Sequence, residues 1–217
     1  MLKDLIYQTG TRVLTVIIRL LFKLKVYGYH HIPRGAGLLL VARHRSYWDI
    51  PLLIAALGPL HRIYFVARRT LNKNWLLRPF LQGFAVSIDR EHFRSQDYRQ
   101  IVRALDARRI VGIFPEGTTK RSGLIRTGVV RFAEHSDCPI LPVNIAAESP
   151  YPPRYPFGFP RVAVQIGRPF RLRELESGLS GSESRAARYG KLSLALMERI
   201  DQAGSPATQL APASREA

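Results

Sequence analysis

A histidine and an aspartate stand five residues apart in the stretch VARHRSYWDIPLL, residues 41–53. An imidazole that accepts a proton, held by a carboxylate on its other ring nitrogen, is an arrangement that activates a hydroxyl as a nucleophile. The same two residue types also occur together in ordinary turns. His44 and Asp49 are therefore a candidate catalytic pair, and the rest of the sequence must decide between the two interpretations.

The spacing of this pair requires a bend in the chain. Five residues advance a helix by roughly 500°, which leaves the two side chains about 140° apart, and in a strand an odd separation puts them on opposite faces. Residues 38–42 form an apolar run typical of a buried strand, and Pro51 suits the first turn of a helix. His44 is thus predicted at the carboxyl end of a strand, where ligands bind in open α/β sheets, with Asp49 near the next helix start.

The same spacing recurs in HFRSQD, where His92 precedes Asp97. This stretch is polar, no apolar strand runs directly into the histidine, and the pattern is typical of a helix start. We interpret the second pair as a chance match to a short motif.

The segment RRIVGIFPEGTTKRSG, residues 108–123, carries further candidate site residues. A buried strand over 110–114 is followed by Glu116, just as His44 follows its own strand, and Gly117 would let the backbone approach a ligand closely. The hydroxyls and cations that come next suit a phosphate: Thr118, Thr119, Lys120 and Arg121. Taken alone, the same residues also fit a turn with solvated charges.

Two shorter segments complete the set of candidates. In GFAVSIDRE, residues 83–91, Arg90 follows a short strand and could hold a phosphate through two hydrogen bonds, or pair with its acidic neighbours on the surface. In CPILPVNIA, Pro142 lies inside an apolar strand, which usually marks a sheet edge or an irregularity.

Apolar segments of strand type alternate with helical patterns along the chain, which predicts an α/β fold with a mostly parallel central sheet covered by helices. The predicted strands are 25–28, 38–42, 63–67, 85–88, 110–114, 140–145 and 162–166. The predicted helices are 50–57, 74–80, 98–107, 128–134 and 184–202. We expect one catalytic domain over 25–203, preceded by a separate helix over 1–24 and followed by a disordered tail over 204–217.

Residues 1–24 predict an amphipathic helix with a basic stripe. The longest uncharged apolar run, 13–18, is far shorter than the roughly 18 residues needed to span a bilayer, and Arg19 interrupts any signal-peptide core. The stripe favours a helix that lies in the interface of an anionic membrane. The alternative is a helix packed on the protein's own core.

Composition limits the classes of function. The chain has 217 residues, a formal net charge of +17 and one cysteine, Cys138, so disulfides and a thiolate zinc site are not expected. Such a charge predicts attraction to polyanions, either lipid headgroups and phosphorylated substrates or nucleic acid. A nucleic-acid binder would place aromatic residues among cations on an exposed sheet, whereas most strand positions here are aliphatic, which favours an enzyme at a membrane.

Four of these segments, in this order and at these separations, resemble the blocks of the lysophospholipid and glycerol-3-phosphate acyltransferase family over about residues 25–170. The matches are His44 with Asp49, then Asp89 with Arg90, then Phe-Pro-Glu-Gly-Thr at 114–118, and Leu-Pro-Val at 141–143. The resemblance selects the first His/Asp pair over the second. Arg43 replaces a frequent asparagine, Arg68 replaces a frequent lysine, and Thr119-Lys120 replaces Arg-Ser, so the acceptor is left open.

The resemblance implies that the chain moves a fatty acyl group from a thioester to the free hydroxyl of a lysophospholipid, most simply converting 1-acyl-sn-glycerol-3-phosphate into phosphatidic acid. His44 would be the general base and Asp49 would orient it. The residues implied in substrate binding are Arg90, Glu116, Gly117, Thr118, Lys120, Arg121 and Arg68. Because a carboxylate does not hold phosphate, Glu116 is expected against a neighbouring cation or the glycerol hydroxyl.

No bound cofactor and no metal are expected, and the co-substrate would be acyl-CoA or an acylated acyl carrier protein. The expected partners are the lysophospholipid and an anionic membrane surface on the cytoplasmic side, without nucleic acid. Other acceptors, such as a lyso-ornithine lipid or glycerol-3-phosphate, stay open, and a basic nucleic-acid binder is the remote alternative. Ser46 could be a rival nucleophile, although a capping role is favoured, and Cys138 is rejected as a nucleophile because only His135 is near it in sequence.

Overall fold

The computed structural model describes residues 2–33, 35, 37–73, 75, 81, 85–89, 92–119, 125–153, 158–178 and 183–204. Within these ranges the chain builds one sheet of seven strands with helices on both faces. The strands are β1 (Lys25–Tyr27), β2 (Leu38–Ala42), β3 (Ile63–Arg68), β4 (Ala85–Ile88), β5 (Ile110–Ile113), β6 (Ile140–Ala147) and β7 (Val162–Ile166).

The strand order is β1-β7-β6-β2-β5-β3-β4. Every neighbouring pair is parallel except β6 and β7, which are antiparallel. The predicted α/β fold with a mostly parallel sheet is therefore confirmed. The reversal at β7 means that β1 and β7 run opposite to the other five strands.

The helices among the described residues are α1 (Leu2–Phe22), α2 (Asp49–Leu57), α3 (Ser95–Asp106), α4 (Gly128–Ser136) and α5 (Arg185–Gln202). Short 3₁₀ helices cover Tyr29–His31, Arg69–Lys73 and Leu172–Gly178. The helix predicted over 74–80 lies, apart from Trp75, outside the described residues, and so does the tail over 205–217.

Two apolar clusters cover the two faces of the sheet. Helices α1 and α2 pack on one face, and α3, α4 and α5 pack on the other. Strand β2 lies near the middle of the sheet and is buried at all five positions, Leu38 to Ala42. Burial on both faces explains why β2 reads as a continuous apolar run rather than an alternating one.

Helix α1 packs on the core with one side only. Tyr7, Thr11, Ile18 and Phe22 are buried, as expected for residues spaced three to four apart on one face. The opposite side leaves apolar side chains exposed: Leu5, Val13, Val16, Ile17, Leu20 and Leu21. Among the described residues, no helix is both long enough and apolar enough to cross a bilayer.

Pro142 lies inside β6, between β2 and β7, so it does not mark a sheet edge. It marks an irregularity in the strand pairing, which is the other feature that a proline inside a strand usually indicates. On the β7 side the ladder begins at Val143 with Ile166, and an isolated bridge joins Ile140 to Phe170. Pro142 lies between these two pairings, where Gly167 donates its N–H to the proline carbonyl.

Candidate active site

The segments that follow β2 and β5 lie side by side at the carboxyl edge of the sheet. The two strands are parallel and pair Val41 with Ile113. The same register, continued by three residues, brings His44 next to Glu116. The backbone N–H of His44 donates to Oε2 of Glu116 at 2.6 Å, so the motifs after the two strands are joined directly.

The chain bends between His44 and Asp49, as their spacing requires. The Nδ1 atom of His44 lies 3.0 Å from Oδ2 of Asp49, and the aspartate side chain is completely buried. The backbone N–H groups of Arg45 and Ser46 also donate to Oδ2, at 2.7 and 2.9 Å. Asp49 is the first residue of α2, where the helix dipole favours a negative charge.

Tyr151 supplies a further donor to Asp49, and the sequence alone did not identify it. Its hydroxyl donates to Oδ1 of Asp49 at 2.5 Å. Burial, followed by the charge of Asp49, raises the pKa of Tyr151 above its ordinary value, so the phenol stays protonated and can donate. The buried carboxylate is thus compensated by hydrogen bonds on both oxygens.

An aromatic stack supports the imidazole of His44. The ring lies nearly parallel to that of Phe114, with centroids 4.1 Å apart, and Phe114 stacks in turn on Phe65 at 5.8 Å. The histidine side chain is 12% exposed. With Nδ1 held by a carboxylate that can only accept, Nδ1 carries the proton and Nε2 offers a lone pair.

Arg43 and Glu116 form a charged cluster beside the pair. The carboxylate of Glu116 accepts from Arg43 Nη1 at 3.1 Å, in addition to the His44 N–H. Arg43 also donates from Nε and Nη2 to the two oxygens of Asp201, at 2.7 and 2.6 Å. Donating hydrogen bonds to the Asp201 carboxylate raises the pKa of Arg43, so the guanidinium is firmly charged. A neighbouring cation was one of the two partners expected for Glu116.

The other residues predicted to bind substrate are located to different degrees. Gly117 adopts a left-handed conformation with φ 66° and donates its N–H to the carbonyl of Phe114 at 2.9 Å, and Thr118 follows it. Arg68 is exposed at the end of β3, which is separated from β2 by β5. Arg90, Lys120 and Arg121 lie outside the described residues. The substrate-binding roles of all these residues stay predictions.

The second His/Asp pair has a different geometry. His92 is 76% exposed and its Nδ1 lies 4.0 Å from Asp89. Asp97 is buried in the first turn of α3, where it accepts from the backbone N–H of Arg94 at 3.1 Å and from Arg69 at 2.6 Å. These contacts are those of a helix cap and an ion pair, in keeping with our interpretation of this motif as coincidental.

The two other candidate nucleophiles are held in structural roles. The Oγ of Ser46 accepts from the backbone N–H of Trp48 at 3.2 Å, which closes the turn before α2. Cys138 is buried, and burial raises the pKa of its thiol to about 11. A thiol protonated at neutral pH is a poor nucleophile.

A cavity of about 430 Å³ is lined by Phe114 and by mainly apolar side chains from β3, β4, β5, α3, α4 and the segments that flank them. Within the ranges that the structure describes, no group of three or more His, Cys, Asp or Glu side chains could hold a metal ion.

Comparisons with known proteins point to one family. A sequence model of the family described as Acyltransferase matches residues 23–146, which include the His44–Asp49 pair and Glu116. The chain is 27% identical over 206 residues to the 1-acyl-sn-glycerol-3-phosphate acyltransferase of Bacillus subtilis, covering 94% of this chain and 100% of that protein. It is 29% identical over 136 residues to the protein of the same name from Borreliella burgdorferi, covering 57% of this chain and 51% of that protein.

The fold also matches a solved structure. The crystal structure of the 1-acyl-sn-glycerophosphate acyltransferase PlsC from Thermotoga maritima superposes with a TM-score of 0.63, covering 88% of this chain and 78% of that one. The sequence identity is 20%, so this likeness concerns the fold.

Proposed function

This chain belongs to the acyltransferase family, and from that premise we propose that it transfers a fatty acyl group from a thioester to the free hydroxyl of 1-acyl-sn-glycerol-3-phosphate. The product would be phosphatidic acid. The observation that carries the proposal is the 3.0 Å contact between His44 and Asp49 at the carboxyl edge of the sheet, within the matched residues. The names of the two curated relatives support this acceptor.

In the proposed reaction His44 acts as the general base. The hydroxyl oxygen of the acceptor attacks the thioester carbonyl carbon while its proton passes to Nε2 of His44. The tetrahedral intermediate then collapses, the carbon–sulfur bond breaks, and the departing thiolate takes the proton from the imidazolium. The acceptor supplies its own nucleophile, so no acyl-enzyme forms. The thiol product would be coenzyme A or acyl carrier protein.

Asp49 makes this proton transfer possible in two ways. Its Oδ2 fixes the tautomer in which Nε2 can accept, and its negative charge stabilises the imidazolium that forms. The backbone donors from Arg45 and Ser46 and the hydroxyl of Tyr151 hold the carboxylate in place. Because the carboxylate is already oriented, its reorganisation adds little to the activation barrier of the reaction.

We assign the acceptor's phosphate to the cations that follow the neighbouring strands rather than to Glu116. The carboxylate of Glu116 is occupied by Arg43 and the His44 N–H. Arg68 ends β3, and Arg90, Lys120 and Arg121 follow β4 and β5 in sequence. Carboxyl ends of adjacent parallel strands meet at one edge of a sheet. Gly117 would offer close backbone approach there.

The apolar cavity that Phe114 helps to line is suited to an acyl chain. Its volume of about 430 Å³ falls in the range of small-molecule sites. Phe114 lines the cavity and also stacks on His44. An acyl chain in this cavity would therefore end close to the reacting atoms.

We also propose that the chain works at the cytoplasmic surface of a membrane, held there by α1. The exposed apolar side of α1 is accompanied by the exposed cations Arg12, Arg19 and Lys23, the combination expected of a helix in a lipid interface. Phe22, at the end of α1, packs edge-on against Trp48 at 5.2 Å. The carboxyl end of α1 thus lies against the residue that precedes Asp49.

The test is an acyl-transfer assay with matched histidine variants. Purified protein would receive acyl-CoA or an acylated carrier protein and a panel of lysolipids in vesicles, with products measured by mass spectrometry. We expect phosphatidic acid from the wild type, a loss of about 10²–10⁴-fold in turnover for His44→Ala, and little change for His92→Ala. Equal effects of the two variants would refute the assignment of the base, and product from a different lysolipid would refute the acceptor.

A further inference from the structure

The last helix of the domain reaches the segment that carries His44. Asp201, in the final turn of α5, receives two hydrogen bonds from the guanidinium of Arg43, at 2.7 and 2.6 Å. Arg43 directly precedes His44, whereas Asp201 lies 158 residues away and outside the residues matched by the family model. A side-on pair of this kind fixes both the position and the orientation of the arginine.

The contacts continue from Arg43 to the backbone of His44. Arg43 Nη1 donates to Oε1 of Glu116 at 3.1 Å, and Oε2 of the same carboxylate accepts the N–H of His44 at 2.6 Å. Asp201, Arg43 and Glu116 therefore form a connected series that ends on the residue whose ring must meet the acceptor. Three of the five guanidinium N–H groups are used in it.

We propose that Asp201 is a positioning residue for acyl transfer, acting through Arg43 and Glu116 to hold the backbone of His44. This inference rests on the proposed function. Without Asp201, the half-exposed arginine side chain regains its rotamer freedom and Glu116 loses a fixed partner. The imidazole then spends less time in the position where Phe114 supports one face and Asp49 holds Nδ1.

The charges of the series argue against a direct role of Arg43 in binding phosphate. One guanidinium lies between two carboxylates, so the net charge of these three side chains is negative and would repel an anionic headgroup. Arg43 is also the residue that replaces a frequent asparagine of the family. The ion pairs with Glu116 and Asp201 account for an arginine at this position, without any contact between Arg43 and the acceptor.

The experiment compares kcat and KM for five variants in the lysolipid assay. Asp201→Asn keeps the shape of the side chain but removes its charge. Arg43→Gln removes the cation, and the double variant tests whether the two act through one another. Glu198→Gln is the matched control, because Glu198 is exposed on the same helix and pairs with none of the residues that the structure describes. Thermal unfolding of each variant verifies that it is folded.

We expect Asp201→Asn to lower kcat about tenfold with KM for the acceptor changed less than twofold, since small displacements of a catalytic group are costly. Arg43→Gln should lower kcat at least as much. The double variant should match Arg43→Gln, because residues in one network are not additive. Arg43→Lys, which keeps the charge but loses the fork of donors, should fall between wild type and Arg43→Gln.

Three results would overturn the inference and leave the proposed function standing. A wild-type kcat in Asp201→Asn would show that Arg43 needs no partner. A lower KM in Asp201→Asn would show that Arg43, once released, binds the phosphate. Additive losses in the double variant would show independent roles. A wild-type chain that transfers no acyl group to any lysolipid would overturn the proposed function and this inference together, so the two failures are distinguishable.

Discussion

A fully buried carboxylate that bonds to no Lys or Arg side chain among the described residues is the central feature at the scale of single residues. Asp49 receives hydrogen bonds from the His44 ring, two backbone N–H groups and Tyr151. An ionised carboxylate is stable in such a place only when hydrogen bonds replace the lost water. In the proposed reaction, His44 is therefore the group that gains from the negative charge when it takes a proton.

Tyr151→Phe tests the contribution of the single side-chain hydroxyl in this set. The substitution leaves Oδ1 of Asp49 buried without its donor at 2.5 Å, so we expect a loss of about 1–3 kcal/mol in the free energy of unfolding. Turnover should fall several-fold, because the carboxylate is less firmly oriented. Urea unfolding and the lysolipid assay measure the two effects.

Tyr27→Phe is the matched control for this change. Tyr27 lies in β1, is partly exposed, and its hydroxyl contacts no partner in the part of the chain that the structure describes. It should leave both stability and turnover close to those of the wild type. If Tyr151→Phe behaves like Tyr27→Phe, the hydroxyl does not support Asp49.

How much of the site could be predicted depended on how local each contact is. His44 and Asp49 are five residues apart, so a strand end and a helix start were enough to suggest their contact. Tyr151 lies 102 residues from Asp49, in a loop rich in proline, and Asp201 lies 158 residues from Arg43. Neither shows a pattern in its own neighbourhood, because the partner that gives it meaning is brought close only by the fold.

At the scale of elements, the apolar runs predicted all seven strands to within two residues at either end. Strand β2, for example, has the predicted limits. Apolar runs report burial, however, and not neighbours or direction. The antiparallel pairing of β6 with β7 follows from contacts such as Asn144 with Gln165, which the periodicity of either strand does not contain.

One glycine links the packing of the sheet to His44, the proposed general base. Gly112 in β5 lies beside Phe65 of β3, and a Cβ built on it would approach the Phe65 ring to 2.7 Å. Phe65 stacks on Phe114, and Phe114 stacks on His44. The absence of a side chain at Gly112 therefore gives the aromatic stack its position.

Gly112→Ala should disturb both stability and activity through this stack. The added methyl must displace Phe65, and overpacking of a core costs about 1–3 kcal/mol. We expect a lower midpoint of unfolding in urea and a loss of turnover larger than any change in KM, since His44 would lose its support. Gly190→Ala is the control.

The control substitution, Gly190→Ala, is itself expected to change stability in a known direction. Gly190 lies inside α5 with no atom within 4 Å of a built Cβ, so alanine there should stabilise the helix by up to about 1 kcal/mol. If Gly112→Ala is as stable and active as Gly190→Ala, Phe65 can move without affecting His44, and the stack has no positioning role.

At the scale of the whole molecule, the two faces of the sheet differ in what they offer to solvent. Helices α1 and α2 cover the face that includes Phe114, and the outer side of α1 leaves Leu20 74% exposed. Beside His44, Tyr47 is 80% exposed. Apolar exposure is thus found both on α1 and beside His44, and the chain as a whole carries a formal charge of +17.

These features predict that the chain binds membranes through two separable contributions, the exposed apolar side chains of α1 and the positive charge. Replacing Val16 and Leu20 together with serine removes apolar area from the exposed side of α1 without touching the core. Because burying an aliphatic side chain in an apolar medium is worth about 1.5–3 kcal/mol, we expect binding to anionic vesicles to weaken tenfold or more. Leu194→Ser is the control, since Leu194 is about as exposed as Val16 but lies on α5, across the sheet.

Salt should weaken only the electrostatic contribution to membrane binding. Raising the ionic strength from 0.1 to 1 M shortens the screening length from about 10 Å to about 3 Å, which reduces the attraction of about 1 kcal/mol that each basic side chain near an anionic surface provides. The wild type should keep a residual, salt-resistant affinity from α1, measured by vesicle flotation, and the double serine variant should lose it. Equal residual binding by the two proteins at high salt would mean that the exposed side of α1 does not enter the lipid.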